Sequence, residues 1–185
     1  IVDWNIRKNW NIYWLVDPLD GTKEFIKHNG EFTVNIALVE NNNPILGVIF
    51  APAQSILYFA QKGLGSFSLN TKIELNSLDY ANQIFVSNRS NLVRVIGSRS
   101  HSNKTFITWV NEKFPNAEII QAGSSLKFCL IAFGEADIYP RFGPTSEWDI
   151  AAGHIILKEA GGTLLTLDNE EILYNTKDNL INPEF

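Results

Sequence analysis

The chain has 185 residues, 45% of them hydrophobic, enough to bury a core and to exclude a disordered polypeptide. Its formal net charge of −5 argues against electrostatically driven binding to a nucleic acid polymer or an anionic membrane, although metal ions or a few focused basic residues can still hold a phosphate locally. Cys129 is the only cysteine, so no internal disulfide can form and a reducing, cytoplasmic setting is expected; no apolar run reaches the length of a membrane span and no signal-peptide pattern is visible.

The sequence contains no methionine and opens at Ile1-Val2-Asp3, so a natural N-terminus upstream of Ile1 is expected; Asn182-Pro183-Glu184-Phe185 reads as the approach to a further strand. Tyr13-Trp14-Leu15-Val16 reads as a short buried strand that ends at Asp17-Pro18-Leu19-Asp20-Gly21-Thr22. Pro18 stiffens the backbone between the two acids, and Gly21 permits a sharp turn. Two neighbouring carboxylates repel unless something positive sits between them, and a hard divalent cation such as Mg²⁺ prefers such oxygen donors. The alternative is an ordinary turn with both acids solvated. Gly21-Thr22-Lys23-Glu24 reads as the start of a short helix, whose free N–H groups could hold a phosphate and whose Thr22 hydroxyl could hold a water; an ordinary capping threonine is the alternative.

An antiparallel meander follows: Thr33 to Glu40 alternates apolar and polar side chains, Asn41-Asn42-Asn43-Pro44 turns, and Ile45 to Ala51 and Ile56 to Ala60 are further strands. Gly63 and Gly65 mark a turn before Ser66-Phe67-Ser68, and Ile84 to Ser87 and Val93 to Gly97 read as short strands, closing a first α+β lobe over residues 1–95. Helix and strand then alternate in a second lobe over 96–185: helix Lys104 to Phe114, strand Glu118 to Gln121, helix Ser124 to Phe133, strand Ala136 to Tyr139, helix Glu147 to Ala160 and strand Thr163 to Thr166. Ser146 to Asp149 matches a capping box, which accounts for Asp149 structurally; the same helix start could instead bring a third carboxylate to Asp17 and Asp20. Ala151-Ala152-Gly153 would let another backbone come close.

The polar loop Gly97-Ser98-Arg99-Ser100-His101-Ser102 could contact phosphate or base, or could simply be solvated. Ser124 and Lys127 open a helix, where a capping serine and a solvent-facing lysine are commonplace, and Arg141 suits an anion ligand or a surface ion pair. His28 and His154 lack partners at metal-ligand or triad spacing, and Cys129 on its apolar helix reads as core.

Taken together, Trp14-Leu15-Val16-Asp17-Pro18-Leu19-Asp20-Gly21-Thr22 and Glu147-Trp148-Asp149-Ile150-Ala151-Ala152-Gly153 resemble the two signatures of the inositol monophosphatase-like superfamily of metal-dependent, lithium-sensitive phosphatases. The stretch from Lys23 to Leu38 resembles its bacterial bisphosphate nucleotidase branch, with Glu24-Phe25 where inositol monophosphatases usually carry Asn-Phe. The resemblance implies a layered α/β/α/β/α sandwich of the inositol monophosphatase/fructose bisphosphatase type. It implies hydrolysis of adenosine 3′,5′-bisphosphate to AMP and phosphate by water activated on two or three Mg²⁺ ions. Asp17, Asp20, Asp149 and the Leu19 carbonyl would be the metal ligands. Gly21 and Thr22 would contact the scissile phosphate, Thr22 also orienting the water, and His101, Ser124, Lys127, Arg141 and Asp149 would contact the nucleotide. An inositol or sugar monophosphatase is the alternative enzyme, and a non-catalytic nucleotide-binding or scaffold protein the alternative of another class. The family's further metal-binding glutamate and its N-terminal helical layer would be expected before Ile1.

Overall fold

The computed structural model describes residues 1–72, 78–88, 92–100 and 104–185. After a short helix α1 (Trp4–Arg7), strand β1 (Ile12–Asp20) pairs antiparallel with β2 (Thr33–Glu40); between them lies a five-residue helix α2 (Thr22–Ile26). The meander continues through β3 (Asn43–Ala51), β4 (Ile56–Gln61), β5 (Gly65–Asn70) and β6 (Asn82–Ile84), giving a six-stranded sheet in chain order.

One irregularity in this sheet builds the site. Asp17 pairs with Asn35 and Asp20 with Thr33, so β1 advances three residues while β2 advances two. Residues three apart on a regular strand point to opposite faces; the extra residue of a β-bulge restores Asp17 and Asp20 to one face. Pro18, with no N–H, suits the unpaired position. The Leu19 N–H leaves the ladder and donates to Asp17 Oδ1 at 2.9 Å. The acids therefore sit within the strand rather than in a loop after it, which corrects the expectation that the strand ends at Val16.

Strands β7 (Arg94–Ser98) and β8 (Glu118–Ala122) form a second, parallel sheet joined through helix α3 (Lys104–Lys113). Neighbouring residues of β7 face opposite ways: Val95 packs with Phe106 and Val110 of α3, and Ile96 joins the main core. Helices α4 (Leu126–Ala132) and α5 (Glu147–Glu159) contribute to that main core together with the first sheet and β8. The layers thus run sheet, helices, sheet, helix. Residues 95 and 96, where the two expected lobes would meet, lie within β7.

Small residues let these layers close. A Cβ on Gly47 of β3 would meet Ala152 O at 2.6 Å and Ile155 Cγ2 at 2.4 Å, and one on Gly153 would meet Phe128 of α4 at 2.6 Å. Three expected strands are shorter than their patterns suggest. Ala136 to Tyr139 makes a single bridge, Ile138 to Val95, before Pro140 removes a donor. Thr163 to Thr166 makes one bridge, Leu165 to Glu171, across a tight turn. β6 ends at Ile84 because the Val86 N–H bonds Ala160 O, beyond the end of α5, at 3.0 Å. Among the described residues, no helix is long and apolar enough to cross a membrane.

Candidate metal centre and adjoining cleft

Asp149 enters from the start of α5. Its Oδ2 accepts the Ser146 N–H at 2.7 Å, so the carboxyl group caps the helix. The same carboxyl group also meets the bulge: Asp17, Asp20 and Asp149 each offer an oxygen, all within 4.8 Å of one another. Asp149 therefore both caps α5 and stands beside Asp17 and Asp20.

Among the described residues none of these three acids makes a salt bridge. Burial pushes the Asp149 carboxyl up to about 6, with the negative charges of Asp20 and Asp17 adding to it against the bond from Ser146. Burial likewise raises Asp17 above the ordinary carboxylate range. Carboxylates held this close need a proton or a cation, and an all-oxygen donor set fits a hard divalent ion.

Polar neighbours that the sequence reading missed hold the cluster. Asn35 is 1% exposed, and its Nδ2 donates to Ser125 Oγ at 2.8 Å and more weakly to Asp20 Oδ2 at 3.3 Å. Ser125 Oγ lies 2.7 Å from both Asp20 Oδ2 and the Asp149 carbonyl. Thr33 Oγ1 reaches Ser124 Oγ at 3.3 Å. The available signal was parity: Thr33 and Asn35 are the β2 residues in register with the two acids.

A cleft of about 310 Å³ opens beside the acids, lined at that end by Asp20, Gly21, Thr22 and Asp149 and further along by Ser98, Ser124, Lys127, Tyr139 and Arg141. Gly21 caps α2 with φ +82°, a conformation that favours glycine, and a Cβ there would lie 3.0 Å from Ser124 Cβ. Thr22 is the first helical residue of α2, not its cap, and its side chain is exposed. Lys127 differs from the solvent-facing lysine expected at a helix start. It is 5% exposed, donates to the Ser124 carbonyl, lies 5.3 Å from the Tyr139 ring centre, and is lowered by burial to about 8. Arg141 is partly buried and donates to the carbonyls of Gly143 and Pro144 at 3.1 and 3.2 Å. Asp17 and Leu19 lie at the bulge and outside the cleft lining. His101 lies outside the described residues. Of the remaining candidates, His154 is buried against Tyr174 (Nδ1 to the hydroxyl 3.0 Å) and Cys129 is buried in the core.

A sequence profile of the inositol monophosphatase family matches residues 3–184. The 3′(2′),5′-bisphosphate nucleotidase CysQ of Salmonella typhimurium is 44% identical over 98% of this chain and 70% of its own length. The protein of the same name from Buchnera aphidicola is 47% identical over 94% of this chain and 62% of its own length. Among solved structures, CysQ from Bacteroides thetaiotaomicron superposes with a TM-score of 0.91 at 43% identity, covering 100% of this chain and 72% of that one. The inositol monophosphatase from Anabaena superposes with a TM-score of 0.73 at 26% identity, covering 95% and 68%. A bulged strand that pairs two aspartates, a third aspartate at a helix start, and a match along nearly the whole length lead to one conclusion: the chain belongs to the inositol monophosphatase family.

Proposed function

We propose that this chain hydrolyses the 3′-phosphate of adenosine 3′,5′-bisphosphate, releasing AMP and inorganic phosphate. The observation that carries the reading is one cleft joining a carboxylate cluster to the basic side chains of Lys127 and Arg141, with Lys23 also in its lining, in a chain 44% identical to a bisphosphate nucleotidase. Asp17, Asp20, Asp149 and the Leu19 carbonyl would hold Mg²⁺, two or three ions. When bound, the ions would neutralise phosphate charge, lower the pKa of a water and stabilise the leaving oxygen.

The chain's own residues supply the rest. Gly21 leaves room for the phosphate beside Ser124, and the Thr22 hydroxyl orients the attacking water. The water oxygen bonds to phosphorus as the bond from phosphorus to the ribose 3′-oxygen breaks; the water loses a proton and the ribose oxygen gains one. Ser124, Lys127 and Arg141 face the remainder of the nucleotide. Lys127 is buried deeply enough that its charge is weakened when alone, and an adjacent phosphate would restore it.

The test compares kcat/KM for the bisphosphate with that for inositol monophosphate in the full chain. The reading expects a preference for the nucleotide of roughly a hundredfold or more, because a site built around base and ribose rejects a ligand lacking them. Equal rates, or a preference for the inositol ester, would move the protein to the monophosphatases. Asp20→Asn should lower kcat by about a thousandfold or more with the fold intact by circular dichroism, and near-normal turnover in that variant would remove Asp20 from the metal site.

A further inference from the structure

Two carboxylates, Glu24 and Glu31, lie just after the metal motif in the chain. Glu24 of α2 is 4% exposed, and its Oε1 accepts the Ser100 hydroxyl at 2.5 Å; Lys27 Nζ lies 3.2 Å from the same hydroxyl. Glu31, just before β2, takes both arms of Arg99, Nε at 2.7 Å and Nη2 at 2.8 Å, and accepts the Gly123 N–H at 2.8 Å. Arg99 Nη2 also donates to the Gln121 carbonyl at 2.7 Å. The segment that follows β7 and the turn that follows β8 are thus both tied to the segment that carries Asp20 and Thr22. Gly123 closes the joint: a Cβ there would meet Glu24 Cγ at 2.6 Å and Glu31 O at 2.8 Å.

These ties bridge the two sheets at one place. Ser98, at the end of β7, Ser124, after Gly123, and Glu24 line the cleft, whereas Glu31, Arg99 and Ser100 do not. The Glu31–Arg99 pair therefore acts behind the cleft wall, and the Glu24–Ser100 bond fastens the wall itself. A forked arginine–carboxylate pair is directional as well as strong, which suits it to fixing a position.

We propose that Glu31 with Arg99, seconded by Glu24 with Ser100, is a latch that sets the distance between the metal end of the cleft and its nucleoside wall. These are positioning residues that act through Ser98 and Ser124 on nucleotide binding. The inference rests on the nucleotide reading above. It assigns the latch to the recognition of the AMP portion of the substrate, with the phosphate end set separately by the bulge and α5.

The test uses the full chain with Glu31→Gln, Arg99→Ala, Ser100→Ala and the Glu31→Gln/Arg99→Ala double variant. AMP and inorganic phosphate serve as product inhibitors while AMP formation is followed by chromatography. Loosening the latch should raise KM for the bisphosphate and the inhibition constant for AMP roughly tenfold, as the loss of supporting bonds around a site typically does. The inhibition constant for phosphate and kcat should stay within about threefold, because the metal end keeps its own supports. The double variant should lose less than the product of the two single losses, since both changes remove the same Glu31–Arg99 pair, and Arg99→Lys should recover part of the loss. Arg99 has a 43% exposed side chain, so its variants keep the test decisive should Glu31→Gln fail to fold. Unchanged AMP inhibition, or AMP inhibition, phosphate inhibition and kcat all weakened together, would overturn the latch. Absence of AMP inhibition in the unaltered protein would instead overturn the nucleotide reading, and the latch with it.

Discussion

Asp149 shows how one side chain can cap a helix and complete a carboxylate cluster at once. It caps α5 through the Ser146 N–H while lying against Asp17 and Asp20, and its carboxyl is pushed up to about 6 chiefly by burial. In the metal-free protein the folded state therefore holds a proton that the unfolded chain releases, and the stability from this group is lost as pH rises from about 4 through 6. Metal binding requires the carboxylate, so Mg²⁺ affinity should rise as pH increases through about 6 and then level off. Calorimetry in buffers of different ionisation enthalpy should show proton release on binding below that pH; an affinity flat from about pH 5 to 7 would remove Asp149 from the site. His154 runs the other way. Burial lowers its imidazole to about 4, so the unfolded chain binds the extra proton and stability is lost as pH falls from about 6.5 to 4. The loss should be on the order of 2–3 kcal/mol, read as the difference in urea midpoints between those pH values, and it should shrink in His154→Gln. Sequence singled out Asp17 and Asp20 because two acids three residues apart stand out by residue type, whereas Asp149, far along the chain in a capping box, stood out only through the resemblance of its helix start to a family signature. It missed Asn35, Thr33 and Ser125, whose types are ordinary and whose roles depend on strand register and on a partner about 90 residues away. It also gave Lys127 a solvated setting, since burial at a helix start depends on what packs over it.

At the scale of elements, α5 is the member that joins the parts. It lies on β3 where Gly47 leaves no room for a side chain, and on α4 where Gly153 lies against Phe128. Gly47→Ala would press a methyl group on the backbone oxygen of Ala152, which cannot rotate away, and should cost about 1–3 kcal/mol by chemical denaturation. A variant as stable as the unaltered chain would mean that α5 can shift off the sheet freely. The sequence made α5 legible through its capping residues, its apolar length and its closing glycines, and the meander through alternation and turn residues. It did not show the bulge, because Asp-Pro-Leu-Asp looks the same ending a strand as running through one. Nor did short apolar runs reveal that Ala136 to Tyr139 and Thr163 to Thr166 pair through one residue each, since pairing depends on what lies alongside.

Across the whole molecule, the two sheets, the bulge of β1 and the start of α5 meet around one cleft, and the Glu24 and Glu31 contacts tie its walls together. A chain of net charge −5 is a poor electrostatic host for a bisphosphate, and the acids in the cleft sharpen that problem. Bound cations would reverse the sign of the field at one end of the cleft, while Lys127 and Arg141 supply positive charge further along it. The central claim is therefore a metal-dependent attack on one particular phosphate. Its most direct test is incubation of the full chain with adenosine 3′,5′-bisphosphate, with and without Mg²⁺ and with added Li⁺, measuring released phosphate and identifying the nucleotide product. Phosphate released only with Mg²⁺, suppressed by Li⁺ and matched by equal 5′-AMP, is the expected result; release without Mg²⁺, or 3′-AMP as the product, would contradict it.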